Sequence, residues 1–238
     1  MTLIWYGFIA LLITAMILVV FSKCSQKHRH RFLILVSLLG VLYYVYNWVS
    51  VIYNPRDILI IFPLQLCDLA VFLMPLGLWT LNRKLMDFLF YPCRLGAMAA
   101  IILMGLAKED AFYDMNVNFF FSHAAILTMP YLAVIWGLYD PKPSLGKALR
   151  LSIELMILGA IMHGLNLYLA HFYQADAFYF FTIIEIGVII SPILALFAKI
   201  IPYDYFYLMC TLPILYLYMA LVYAIRKSLI SHHHKNSP

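Results

Sequence analysis

The sequence predicts an all-α, polytopic membrane protein with seven transmembrane helices and a re-entrant or interfacial segment before the last of them. Three observations carry that prediction. Hydrophobic residues make up 65% of the chain and charged residues only 11%, whereas a soluble domain carries about 25% charged residues. Mean hydropathy is +0.91, too apolar for a chain that must cover itself with water-compatible surface. The 238 residues hold roughly seven crossings of ~20 residues joined by short loops. That makes a single helical bundle over residues 1–238 with no room for a separate soluble domain.

The elements follow in order. Leu3 to Phe21 is apolar, with no basic leader and no small-residue cleavage motif, and is read as a retained first span. The densest basic run in the chain, Ser22 to Arg31, follows it. Span 2 is expected from about Phe32 to Tyr53, then a tight connection at Asn54 to Asp57, where Pro and Asn supply turn chemistry. Span 3 is about Ile58 to Leu81, and span 4 about Leu85 to Leu106, ending at an acidic loop from Lys108 to Asp114. Span 5 is about Val117 to Tyr139 and span 6 about Ala148 to Phe172. Phe178 to Ile201 has the length of a span but carries Glu185, Pro192 and Lys199, so it is read as dipping into the membrane without crossing. Span 7 is about Tyr203 to Ile225, closed by Arg226 and Lys227.

Basic loop residues orient the bundle, because Lys and Arg accumulate on the cytoplasmic side. With the N-terminus outside, Lys23, Lys27, Arg29, Arg31, Arg83, Lys84, Lys142, Lys147 and Arg150 all fall inside. Seven crossings then bring Arg226, Lys227 and Lys235 inside as well. The net charge of +5 is scattered over these loops, as expected of a membrane protein and not of a nucleic-acid binder. Cys24, Cys67, Cys93 and Cys210 show no CxxC or metal-finger spacing, so neither a disulfide framework nor a metal site is expected.

The polar residues inside the spans carry the chemistry. FPLQLCD, Phe62 to Asp68, places Gln65, Cys67 and Asp68 where lipid offers no hydrogen-bonding partner. In the seven-span topology Cys67 lies about nine residues, ~14 Å, from the outer end of span 3, and His123 about six residues, ~9 Å, into span 5. His163 and Asn166 fall at a comparable depth in span 6, so one outer-leaflet pocket of Cys67, His123, Gln65, Asn166 and His163 is expected. A thiol becomes a nucleophile when a base takes its proton, and imidazole is the usual base. Gln65 or Asn166 would orient that imidazole or donate to an oxyanion. The plainer alternatives are an inert cysteine packed as a small hydrophobe and a histidine that bonds helix to helix. Asp68 and Arg94 share a depth on neighbouring spans and are expected to form an intramembrane ion pair, since either charge alone is costly there. The tyrosines, among them Tyr43, Tyr44, Tyr46, Tyr203, Tyr205 and Tyr207, are read as interfacial belts.

PLQLC at Pro63 to Cys67, Ser122-His123 opening span 5, Asn166 and Tyr173 late in span 6, and PYDYFY at Pro202 to Tyr207 resemble the YwaF-like family of bacterial integral membrane proteins. The likeness covers about Phe62 to Tyr207. That family is in turn similar to an animal group of multispanning phospholipid acyltransferases with a membrane-embedded Cys and His pair. The resemblance implies a bacterial inner-membrane lipid acyltransferase without a cofactor, with membrane lipids as partners, Cys67 as the acyl-accepting nucleophile and His123 as its base. Gln65 stands where the family usually has His, which weakens any mechanism that needs a second histidine, and Asp68 follows the Cys, where its charge opposes thiolate formation unless Arg94 neutralises it. The alternative function is a transporter or sensor that holds a small ligand among Asp68, Arg94 and His163.

Overall fold

The structure is a computed structural model, and it describes residues 2–50, 62–106, 116–174, 177 and 179–235. These form helices and their connections, with no strand among them. The expected connection at Asn54 to Asp57 and the acidic loop at Lys108 to Asp114 lie outside the described residues.

The chain divides into two compact units. The first comprises residues 1–55 and 65–141. Helix α1 is Thr2–Phe21 and α2 is Gln26–Ser50. Helix α2 therefore starts before the expected Phe32 and takes most of the basic run into its first turns. Arg29 folds back to make the join: its Nε donates to the Phe21 carbonyl at 2.9 Å and its Nη2 to that of Ser22 at 2.5 Å. These bonds satisfy carbonyls that the end of α1 leaves without intrahelical donors.

Helix α3 is Leu66–Thr80; of the expected Ile58 to Leu81, Ile58 to Ile61 lie outside the described residues. Phe62 to Gln65 are not helical, in keeping with Pro63, whose ring disfavours helical geometry in the residue before it. Leu81 ends α3 in the left-handed region, φ 49°. Asn82 then caps α4, Arg83–Phe88, accepting from the N–H groups of Lys84 (3.0 Å) and Leu85 (3.3 Å). A π-helical turn, Leu89–Cys93, runs on into α5, Arg94–Leu106. The π turn contains Pro92, which has no N–H to give an α-helical ladder. Helix α6 is Asn116–Ile135, stopped by Gly137 at φ 68°, a backbone conformation that glycine adopts without penalty.

Helix α6 packs against both α2 and α5, and α3 packs against both α2 and α6. The core between them holds Leu33, Ala70, Leu78, Met86, Leu89, Tyr91, Ala97 and Ala133, all at most 1% exposed. At Gly77 the helices approach so closely that a Cβ would meet the Leu89 side chain at 2.6 Å.

The second unit comprises residues 56–64 and 142–238. Helix α7, Leu145–Tyr173, is capped by Ser144, whose hydroxyl accepts from Lys147 N–H at 3.2 Å. The segment read as non-crossing is broken: a 3₁₀ turn Tyr179–Phe181, α8 Ile184–Ile190 and α9 Pro192–Ile200. Seven and nine residues reach only ~10 and ~14 Å, so neither helix alone spans a ~30 Å hydrocarbon core. Ser191 sits between them with extended φ/ψ and caps α9, accepting from Leu194 N–H at 3.3 Å. A second 3₁₀ turn, Phe206–Cys210, leads into α10, Thr211–Lys235. The last helix thus begins eight residues later than expected and continues through His232 to His234.

Large apolar side chains remain exposed along the helices, Val19 and Leu217 at 72% and Leu42 at 66% among them. Exposure on that scale suits a hydrocarbon surround. Among the described residues, four helical stretches, Gln26–Tyr46, Arg83–Ile102, Leu145–Tyr173 and Phe206–Ser228, are long and apolar enough to cross a membrane. The protein is of the polytopic membrane class.

Candidate functional site

Five of the expected site residues, Gln65, Cys67, Asp68, Arg94 and His123, lie in the first unit. Because α3 starts at Leu66, Cys67 occupies its first turn and is not deep inside a continuous helix. The first backbone N–H groups of a helix have no intrahelical acceptor and form its positive end. Cys67 is partly exposed, whereas Cys93 is buried.

Asp68 completes this helix start. Its Oδ2 accepts from Gln65 N–H at 3.0 Å, and its Oδ1 accepts from the Tyr44 hydroxyl at 2.6 Å. Tyr44, expected in an interfacial belt, is instead a half-buried internal donor, while Tyr43 and Tyr46 are exposed. The Asp68 carboxylate is thus held by Tyr44 and Gln65 and not by Arg94. Arg94 donates from Nε to the Leu127 carbonyl at 3.0 Å, and its guanidinium lies over Phe90 at 4.6 Å and Tyr131 at 5.4 Å. A cation over aromatic faces is stabilised by the negative face of each ring. An ion pair does form on α7, between Arg150 and Glu154 at 3.7 Å.

His123, 6% exposed, stands on α6 with its ring stacked on Phe119, centroids 3.9 Å apart. Its Nδ1 lies 2.6 Å from the Phe119 carbonyl oxygen. A carbonyl can only accept, so Nδ1 carries the proton and Nε2 of the neutral ring holds the lone pair. The helix itself therefore supplies the orienting contact expected from Gln65 or Asn166. Cys67 and His123 stand on helices that pack together, α3 and α6. No hydrogen bond joins the two side chains among the described residues.

His163 and Asn166 belong to the second unit, on α7. Asn166, fully buried, donates from Nδ2 to the Tyr179 carbonyl and to Thr182 Oγ1, each at 2.9 Å, and its Oδ1 accepts from Tyr179 N–H at 3.0 Å. Both amide protons are spent, so none is left for a substrate. His163 Nδ1 is 3.1 Å from Thr182 Oγ1, and its ring stacks on Tyr205 at 5.9 Å. Tyr205 donates through its hydroxyl to the Met156 carbonyl at 2.7 Å, and Tyr207 through its hydroxyl to that of Phe181. Phe180, Phe181 and Tyr205 all have positive φ, a cost that this network of bonds holds in place. Two of the expected belt tyrosines, Tyr205 and Tyr207, are thus internal fasteners. Glu185 is exposed in the first turn of α8.

The sequence reading passed over Asp87. It is 3% exposed on α4 and accepts from the Tyr139 hydroxyl.

No curated protein and no solved structure matches the chain. A family model described as the TMEM164 family matches residues 1–225. With that match over nearly its whole length, the chain belongs to the TMEM164 family, a family of membrane proteins.

Proposed function

We propose that this membrane protein moves an acyl chain between a phospholipid and a lysolipid through a thioester on Cys67, with His123 as the proton carrier. The observation that carries the reading is the His123 ring, whose Nδ1–H is committed to the Phe119 carbonyl so that Nε2 is left as the base. Support comes from Cys67 in the first turn of α3, partly exposed, on a helix packed against α6. The likeness to YwaF-like proteins and to the animal acyltransferases points to the same pair.

The steps balance as a two-stage acyl transfer. Nε2 takes the Cys67 proton, and the thiolate adds to the ester carbonyl of the donor lipid. Backbone N–H groups at the start of α3 are suited to stabilise the resulting oxyanion. The C–O bond breaks, and the departing lysolipid oxygen receives the proton from Nε2. An acceptor lysolipid hydroxyl then gives its proton to Nε2 and attacks the thioester. The C–S bond breaks, and the thiolate regains the proton. The Sγ-to-Nε2 contact closes with substrate bound, since catalytic hydrogen bonds often tighten only in the substrate complex.

The same reading takes seven crossings, with the N-terminus outside and the C-terminus cytoplasmic in a bacterial inner membrane. Three shorter apolar helices, Leu12–Phe21, Leu66–Thr80 and Phe119–Ile135, supplement the four long ones and support that number. The test is acyl exchange between labelled phospholipid and lysolipid in proteoliposomes. Cys67→Ala and His123→Ala each abolish it while the protein still accumulates, and mass spectrometry of the wild type finds an acyl adduct on Cys67. Full activity in Cys67→Ala ends the covalent mechanism.

A further inference from the structure

Tyr44, on α2, reaches the nucleophile-bearing turn of α3. Its hydroxyl donates to Asp68 Oδ1 at 2.6 Å, and its ring meets Phe72 edge-on, centroids 5.7 Å apart at 78°. Asp68 and Phe72 are one helical turn apart, so a single tyrosine fixes two successive turns of α3. Asp68 Oδ2 is meanwhile committed to Gln65 N–H at 3.0 Å. Leu66 and Cys67 lie inside the loop that this bond closes.

We infer that Tyr44 is a positioning residue for Cys67: by donating to one oxygen of the neighbouring Asp68 carboxylate while Gln65 N–H holds the other, it fixes that carboxylate and draws off part of the negative charge that opposes the thiolate. The inference deepens the acyl-transfer proposal and rests on its assignment of Cys67. The geometry gives the clamp a reason. A carboxylate one residue from a nucleophilic thiol opposes formation of the thiolate. Both of its oxygens are engaged here, one by a hydroxyl donor and one by the backbone. Charge-assisted bonds of this kind are the stronger class of hydrogen bond, and they are stronger still away from water. His123 and Arg94 bond elsewhere, to the Phe119 and Leu127 carbonyls. The phenol of Tyr44 is therefore the group that restrains Asp68 from the neighbouring helix.

The experiment reads the thiol itself, so it works whether or not acyl transfer is detected. Full-length protein in liposomes is treated with N-ethylmaleimide, and the alkylation rate at each cysteine is followed by peptide mass spectrometry, with Cys24 and Cys210 as internal references. Tyr44→Phe keeps the ring on Phe72 and removes only the donor. It slows alkylation of Cys67 about tenfold to a hundredfold, the size expected for losing one bond to a charged group. Adding Asp68→Asn, which retains an acceptor for Gln65 N–H but removes the charge, restores the rate to within about twofold of wild type. Where acyl exchange is measurable, Tyr44→Phe lowers kcat and leaves KM unchanged. An unchanged Cys67 alkylation rate in Tyr44→Phe overturns the inference, as does failure of Asp68→Asn to restore it. Loss of acyl exchange with a normal alkylation pattern bears on the acyl-transfer proposal alone.

Discussion

Asn166 and Tyr179 are joined in both directions: the amide Nδ2 donates to the Tyr179 carbonyl at 2.9 Å, and the Tyr179 N–H returns a bond to Oδ1 at 3.0 Å. A third bond, to Thr182, fixes the next turn of chain. Replacing Asn166 with Ala strands a buried N–H and a buried carbonyl, each costing about 1–3 kcal/mol. Asn166→Ala is therefore expected to lower stability by about 2–6 kcal/mol, read as a lowered midpoint of unfolding in detergent. Asn166→Ala with wild-type stability would return this residue to the candidate substrate donors.

The partners of Asp68 can be weighed by double-mutant cycles. Tyr44 touches the carboxylate, and Arg94 is bound elsewhere. The Tyr44→Phe and Asp68→Asn cycle is expected to show a coupling of about 1–3 kcal/mol, as for residues in direct contact. The Arg94→Met and Asp68→Asn effects should instead add within about 0.5 kcal/mol. A strong Asp68–Arg94 coupling would restore the ion pair that the sequence suggested.

Gly187 packs where a Cβ would fall on the Tyr207 hydroxyl. Gly187→Ala must displace that hydroxyl from the Phe181 carbonyl, so it is expected to cost about 1–3 kcal/mol despite the better helix propensity of Ala. Adding Tyr207→Phe should recover part of the loss, because the obstructing oxygen is gone. The check is the unfolding midpoint of both variants, and a double mutant no better than Gly187→Ala would place the cost elsewhere.

How much of this was legible in the sequence depends on the range of the interaction. The first span, Leu3 to Phe21, coincides with α1 almost residue for residue, because an unbroken apolar run signals a helix on its own. Span 3 was misjudged because Pro63 acts on local backbone geometry, which hydropathy does not report, and Cys67 moved from mid-helix to a helix start. The tyrosines show the same limit. Tyr43, Tyr44 and Tyr46 look alike in composition, yet Tyr44 alone of the three bonds to Asp68.

By itself the sequence determined the membrane class, the helical content and the list of polar residues that a lipid environment makes costly, because these follow from composition and from hydrophobic run length. Only the tertiary structure decided how those residues spend their hydrogen bonds: Asp68 on Tyr44, Arg94 on Leu127, His123 on Phe119 and Asn166 on Tyr179. The physical reason is that a buried polar group takes whichever partner the packed helices bring within about 3 Å. Depth along a span narrows that choice, but helix rotation, π turns and caps make it.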